Sequence, residues 1–155
     1  MQKITPFLWF DGNAEEVMNF YTSVFKNAKV GNISRYGEAG PGPAGSVLTA
    51  SFELEGLEFT ALNGGPHFKF NEAISFHVAC ESQAEVDYFW DGLGAGGQIQ
   101  QCGWLKDKFG VSWQIVPTAL PRLLGNPDRA KANRVMQAML EMKKLDIAAL
   151  ERAAA

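Results

Sequence analysis

The predicted strands and helices of this chain follow one order twice, and this repetition limits the possible folds more than any other feature. Residues 4–10 form an apolar run typical of a buried strand, and Asn13 is a predicted helix N-cap. Apolar residues at helical spacing follow over 17–25. Alternating polar and apolar residues then predict strands at 30–36, 46–54 and 57–63. The first predicted module is therefore βαβββ.

The same order returns after the linker 64–73. Ser82 with Glu85 three residues later is a capping-box pattern that predicts the start of a second helix. The predicted strands of this copy cover residues 74–80, 98–101, 102–106 and 111–117. We expect an α+β fold of two βαβββ modules, about 1–66 and 72–118, which form curved mixed sheets around a cavity. A length of 155 residues suits one domain over 1–155.

The tail, about 119–155, has a different pattern. Residues 120–124 predict a short turn, and from Asp128 onward the chain is rich in strong helix formers. Val135, Met139 and Met142 form an apolar stripe along this predicted C-terminal helix. We expect the stripe to pack on its own domain or on a partner chain.

Composition and charge exclude several classes of protein. The net charge is −3 and no run of Lys or Arg occurs, which argues against a nucleic-acid partner. No apolar stretch approaches the roughly 20 residues that span a bilayer, and the N-terminus lacks a signal-peptide pattern, so we expect a cytoplasmic protein with no membrane partner. Cys80 and Cys102 form no CxxC pair; free thiols are the favoured interpretation, and one disulfide is the alternative.

Two features imitate functional motifs. The run GLGAGG at 92–97 satisfies G-x-G-x-x-G, but it ends a predicted helix and precedes a strand, whereas a dinucleotide-binding loop follows a strand and opens a helix. We interpret it as a helix C-terminus with a loop. The only histidines are His67 and His77, too few for a histidine-rich metal centre within one module.

Several segments carry a resemblance to a known family. They are NFYTSVF (19–25), NGGPHFKFNEAISFHV (63–78), CGWLKDKFGVSWQIVP (102–117) and RVMQAMLEMKKLDIAALERA (134–153). Together with the repeated βαβββ order, they resemble the vicinal oxygen chelate superfamily of glyoxalases, extradiol dioxygenases and bleomycin-resistance proteins, and within it the PhnB-like subfamily. Members of that subfamily often carry the label 3-demethylubiquinone-9 3-methyltransferase. The resemblance also implies a homodimer.

The resemblance implies four positions for metal ligands, one on the first and one on the last strand of each module. In this chain they fall on Pro6, Ser75, Gln114 and either Ala61 or Asn63. Pro and Ala cannot ligate, and Ser and Gln are poor ligands for ions that prefer imidazole or carboxylate. We therefore predict no metal and no cofactor, and interpret the methyltransferase label as inherited with the family.

Strand alternation selects the residues of the cavity face. The candidate ligand-binding residues are Ser75, His77, Gln114, Glu53, Asn63 and Trp104. A concave surface of mixed polarity suits a small organic molecule held by a few hydrogen bonds. Each candidate also has a structural interpretation: His77 as a hydrogen-bonded core residue, Gln114 as a cross-strand partner, and Glu53 as the solvated end of its strand.

Three functions are compatible with these residues. The first is metal-free binding of a small organic molecule. The second is an enzyme of the same superfamily, with an unorthodox metal site, acid–base chemistry through His77 and Glu53, or the activity of the methyltransferase label. The third is an interaction protein that uses the C-terminal helix as its contact surface.

Overall fold

Two compact units make up the chain in a computed structural model that describes residues 2–155. The first unit ends at Lys69, and the second covers Phe70–Ala155. All eight predicted strands are present, with ends displaced by up to three residues from the predicted ones. The α+β class and the two mixed sheets predicted from the sequence are confirmed.

The first unit is a four-stranded sheet with one helix. Its elements are β1 (Phe7–Phe10), α1 (Ala14–Val24), β2 (Ala28–Arg35), β3 (Val47–Leu54) and β4 (Leu57–Asn63). The strand order is β1-β4-β3-β2, with β1 parallel to β4 and the other pairs antiparallel. Helix α1 packs on β3 and β4, where alternate residues such as Ala50, Phe52 and Phe59 are buried. The period of two thus directs one face of the sheet to the helix.

The N-terminus of α1 is capped across the fold. Asn13, the predicted N-cap, makes no side-chain capping hydrogen bond. Instead Oδ1 of Asn63, at the end of β4, accepts from the backbone N–H of Ala14 at 2.9 Å. Nδ2 of Asn63 donates to the carbonyl oxygen of Val47 at 3.1 Å. One amide therefore satisfies a helix terminus and a strand end.

The second unit repeats this arrangement. Its elements are β5 (Ser75–Cys80), α2 (Gln83–Gly94), β6 (Gln98–Ile99), β7 (Trp104–Lys106) and β8 (Ser112–Pro117). The order is β5-β8-β7-β6, with β5 parallel to β8. Oγ of Ser82 accepts from the backbone N–H of Glu85 at 3.2 Å, and the Glu85 carboxylate accepts from Glu81 N–H at 2.8 Å. The predicted capping box is thus present, except that the Glu85 carboxylate binds the N–H of the residue before the N-cap.

A buried carboxylate holds the turn between β7 and β8. Asp107 is 3% exposed, and its Oδ1 accepts from the backbone N–H groups of Phe109 and Val111 at 2.9 and 3.1 Å. Its Oδ2 accepts from Nε1 of Trp113 at 2.9 Å. These donors offset the loss of hydration that a buried carboxylate suffers.

The predicted helical C-terminal segment is present, and it is divided into three helices. They are α3 (Ala119–Leu124), α4 (Arg129–Leu140) and α5 (Ile147–Ala154). The carbonyl oxygens of Met142 and Lys143 accept from the backbone N–H groups of Cys102 and Gly103 at 2.8 Å each. Because these carbonyls bond outside the segment, they are not available to continue α4. Within residues 2–155, no helix is long and apolar enough to cross a membrane.

The apolar stripe of the tail, Val135, Met139 and Met142, packs within the second unit. Val135 is fully buried, and Met139 and Met142 pack against a cluster that includes Val116 of β8. Of the two predicted alternatives, packing on its own domain or on a partner chain, the stripe follows the first.

Candidate functional site

The face of the second sheet that is turned away from α2 carries most of the predicted ligand-binding residues. Ser75 and Ser112 are register partners on β5 and β8, as are His77 and Gln114. Trp104 of β7 is the partner of Gln114 on its other side. Three strands therefore bring His77, Gln114 and Trp104 side by side.

A hydrogen bond orients the central residue of this face. Nε2 of Gln114 donates to Oγ of Ser75 at 2.9 Å. Ser75 therefore contacts the side chain of Gln114 directly. Beside this pair, Oγ of Ser112 is buried without a hydrogen-bond partner among the described residues.

A pocket of about 290 Å³, here called the sheet pocket, lies over these strands. Its lining residues are His77, Cys102, Trp104, Gln114, Val116, Leu120, Pro121, Leu124 and Met139. Polar groups come from the sheet, and the aliphatic groups come mainly from α3 and α4. No Asp, Glu, Lys or Arg is among these residues, so the pocket offers no fixed countercharge. An ionic ligand would lose hydration there without a charged partner.

Ionic groups of the second unit pair with one another outside this lining. Nζ of Lys106 lies 3.1 Å from the carboxylate of Glu72, which also accepts from Nε2 of Gln100 at 3.1 Å. The hydrogen bond from Lys106 is the main reason that the pKa of Glu72 lies below its ordinary value. Burial, with smaller contributions from nearby carboxylates, raises the pKa of Cys80 to about 12. Cys80 and Cys102 are both free thiols, as favoured from the sequence.

A second pocket, of about 520 Å³ and here called the loop pocket, lies in the first unit. It is lined by the Gly/Pro-rich segment 41–43, by Tyr36, Asn63 and His67, and by the carboxylates of Asp11 and Glu15, among others. The Tyr36 hydroxyl donates to the carbonyl oxygen of Asn63 at 2.5 Å. The predicted ligand residue Asn63 is thus at this pocket, with both side-chain groups already bonded to backbone.

Glu53 lies outside both pockets. It is the register partner of Lys29 on β2, and its carboxylate is 3.7 Å from Nζ of Lys29. Exposed ion pairs of this kind contribute roughly 0–1 kcal/mol. Glu53 therefore lies on a solvated strand surface, as in the alternative interpretation of this residue. A ligand-binding role for Glu53 stays a prediction.

The metal-ligand position inferred for the last strand of the first module lies toward helix α1. Ala61 is fully buried beside its partners Leu8 and Ala50, on the face packed by α1, and Asn63 caps that helix. The neighbours with the opposite orientation are Thr60 and Leu62, and neither is a good ligand. Over residues 2–155, no three His, Cys, Asp or Glu side chains are grouped to hold a metal ion. The side chains at these positions do not fit the metal ion that the resemblance implies.

The glycine run 92–97 has a packing role. Helix α2 ends at Gly94 and β6 begins at Gln98, as predicted from the sequence. A methyl group at Gly97 would overlap the carbonyl oxygen of Lys106, so glycine permits close approach of these two segments. The run is packed against the β6–β7 hairpin and does not fit a nucleotide or S-adenosylmethionine loop.

Sequence reasoning missed the part of the sheet pocket contributed by the tail. Leu120, Leu124 and Met139 line it, and Cys102 joins them from the loop before β7. The spacing of Leu120 and Leu124 is a helical signal that was available in the sequence. Nothing local indicates that these side chains meet β5, β7 and β8.

Comparison with protein-family models identifies the family of this chain. The sequence model described as 3-demethylubiquinone-9 3-methyltransferase matches residues 2–116, about three quarters of the chain. The chain belongs to this PhnB-like family. The resemblance to the PhnB-like subfamily is thereby confirmed. No curated protein sequence matches the chain.

Solved structures agree with this assignment. The PhnB protein from Bacillus cereus is 43% identical; the match covers 76% of this chain and all of that one, with a TM-score of 0.69. A protein from Pseudomonas aeruginosa is 22% identical over 76% of this chain and 98% of its own, with a TM-score of 0.62. A gene product from Arabidopsis thaliana is 19% identical over 73% and 96%, with a TM-score of 0.51. The last two share the fold alone.

Proposed function

We propose that this PhnB-like protein binds a small, uncharged organic molecule in the sheet pocket without a metal ion. The observation that carries the proposal is the pocket itself: His77, Gln114 and Trp104 lie together opposite an aliphatic wall. Convergent polar groups in a largely apolar concavity are the usual composition of ligand sites.

The two sides of the pocket suggest the chemistry of the ligand. An imidazole and an amide can hydrogen-bond a carbonyl, hydroxyl or amide group, while an indole ring offers a flat surface for an aromatic ring. The opposite side, with Leu120, Leu124 and Met139, accepts hydrocarbon. A volume of about 290 Å³ is at the small end of known ligand pockets, which favours a molecule of one ring with a short substituent.

Metal-dependent chemistry is the alternative within the superfamily. It is not favoured because the inferred ligand positions are occupied by apolar or hydrogen-bonded side chains and no acidic or histidine cluster is present among residues 2–155. The methyltransferase description of the family receives no support from the glycine run, which is packed against a hairpin. Ligand binding in the sheet pocket requires neither.

The test is a titration of the purified full chain with alkyl phenyl ketones, from acetophenone to hexanophenone. A ligand that binds only the folded protein raises its thermal midpoint, and calorimetry then gives the dissociation constant. We expect His77→Ala to weaken binding about tenfold, the effect of roughly one hydrogen bond to the ligand. Chelation of metal ions should leave the affinity unchanged.

The chain provides a matched control, because its other histidine, His67, lines the loop pocket in the first unit. The variant His67→Ala should bind every ketone as the wild type does. Failure of all ketones to raise the midpoint would refute binding of this class. Equal losses in both histidine variants would move the site away from the sheet pocket, and loss of binding on chelation would refute its metal independence.

We also propose that the chain forms a homodimer. Strands β1 and β5 each lie at one edge of their sheet, and Phe7 of β1, Phe68 and Ile74 are exposed apolar residues. Free strand edges and exposed apolar groups are frequent at protein interfaces. The molar mass of the purified protein, measured by light scattering, should be twice that of one chain. A monomer at all concentrations would contradict the proposal.

A further inference from the structure

The aliphatic side of the sheet pocket comes from the part of the chain outside the family match. The match to the family model ends at residue 116, and α3 begins at Ala119. The match with the Bacillus cereus PhnB protein likewise covers 76% of this chain and all of that one. Four pocket residues, Leu120, Pro121, Leu124 and Met139, lie in the segment after residue 116.

This segment is tied to the second unit by hydrogen bonds on its far side. Nε2 of Gln83 in α2 donates to the carbonyl oxygen of Leu145 at 3.1 Å, and Oε1 of the same side chain accepts from Ile147 N–H at 2.8 Å. Nζ of Lys144 lies 3.0 Å from the carboxylate of Asp87. The connection between α4 and α5 is therefore held on α2.

Two further bonds tie the segment to the pocket itself. The N–H groups of Cys102 and Gly103 donate to Met142 and Lys143, and Cys102 lines the pocket. Gly103 has a φ of +83°, and a methyl group there would lie 2.9 Å from the carbonyl oxygen of Ile115 and 3.0 Å from a methyl carbon of Leu145. Glycine at this position lets the segment approach β8 closely. The aliphatic side is thus a fixed wall.

We propose that α3 and α4 determine the ligand specificity of the sheet pocket, with Met139 and Leu124 setting the size of the apolar group it accepts. This inference rests on the proposed binding function and adds the residues that select the ligand. A family member without α3 and α4 would then share the polar side of the site and differ in its selectivity. The polar residues bind the hydrogen-bonding group of the ligand, and the tail segment limits the size of its apolar substituent.

The experiment compares dissociation constants along the ketone series for Met139→Ala, Leu124→Phe and the control Met136→Ala. Met136 lies on the same helix, is 40% exposed and does not line the pocket. Removing the Met139 side chain should move the tightest binder to a longer alkyl chain, with a gain of about tenfold for two additional methylenes. The larger Leu124→Phe side chain should move it to a shorter one. Met136→Ala should leave the order unchanged.

A second measurement tests the wall without any ligand. Cys102 lines the pocket, whereas burial raises the pKa of the Cys80 thiol to about 12, so maleimides at pH 8 should modify Cys102 selectively. The rate ratio of N-phenylmaleimide to N-ethylmaleimide reports the space beside Cys102. Met139→Ala should raise this ratio several-fold, and Met136→Ala should not.

The outcomes separate the two proposals. If ketones bind but neither Met139→Ala nor Leu124→Phe changes their order, the wall proposal is overturned and the binding function stands. If no ketone binds the wild type, the proposed binding of alkyl phenyl ketones is refuted. The maleimide rate ratio then tests the wall proposal by itself: an unchanged ratio in Met139→Ala overturns it. An equal rise in both methionine variants indicates general loosening and also overturns it.

Discussion

Replacing Asn63 by alanine separates a structural role from a ligand-binding role for this residue. Its amide accepts from Ala14 N–H at 2.9 Å and donates to the Val47 carbonyl at 3.1 Å, both partly buried. Loss of two such bonds, at about 1 kcal/mol each, lowers the free energy of unfolding by about 2 kcal/mol. The capping part alone is within the range of about 0.5–2 kcal/mol known for N-caps.

The assay is urea unfolding followed by tryptophan fluorescence and far-UV circular dichroism. With an m-value of about 2 kcal/mol/M, a loss of 2 kcal/mol lowers the midpoint by about 1 M. The matched control is Asn13→Ala, which removes the residue that local sequence assigns to the cap but that makes no capping bond. Its midpoint should change by less than about 0.25 M, since surface substitutions usually stay within 0.5 kcal/mol.

One result would refute this reasoning directly: a lower midpoint for Asn13→Ala with an unchanged midpoint for Asn63→Ala. Weaker ketone binding by Asn63→Ala, with unchanged stability, would instead support the ligand role predicted from the sequence. The two alanine variants therefore distinguish a cap fixed by local sequence from one fixed by a contact across 49 positions of the chain.

Three further predictions concern the second unit. Asp107→Asn should lower the free energy of unfolding by about 3 kcal/mol in urea titrations, because a charged acceptor of three hydrogen bonds is lost and one donor then faces the new amide. Ser112→Ala should leave stability unchanged or raise it by up to about 1 kcal/mol, since its buried hydroxyl has no hydrogen-bond partner within residues 2–155; a loss above that size would contradict the assignment. Iodoacetamide at pH 8 should modify Cys102 well before Cys80, whose pKa is raised to about 12 by burial, and peptide mass mapping will detect comparable rates if this is wrong.

Membership of the PhnB-like family is a guide to only one side of the sheet pocket. The shared region, residues 2–116, contains the sheet residues His77, Gln114 and Trp104. The apolar wall lies beyond it, on α3 and α4. A ligand identified for a relative without this segment would therefore be a guide to the polar contacts and not to the size of the substituent.

The sequence alone determined the two βαβββ modules, because strand and helix periodicities are local properties of the chain. The alternation around Phe52 and the helical spacing of Val17 and Tyr21 are sufficient to predict which faces are buried. The same alternation predicted the strand faces of His77 and Gln114, and the register of β5 and β8 confirms that they are neighbours. The glycine run was also correctly interpreted from its position between a helix and a strand.

Tertiary structure decided the rest, because its causes lie far apart in the sequence. Asn63 rather than Asn13 caps α1, since β4 brings its amide to the helix N-terminus. The helical tail is divided after α4 because the N–H groups of Cys102 and Gly103 donate to the carbonyl oxygens of Met142 and Lys143. The same folding-back places the tail's aliphatic side chains opposite the sheet residues and makes the pocket. Periodicity fixes which face a side chain occupies, but only long-range contacts determine what it meets there.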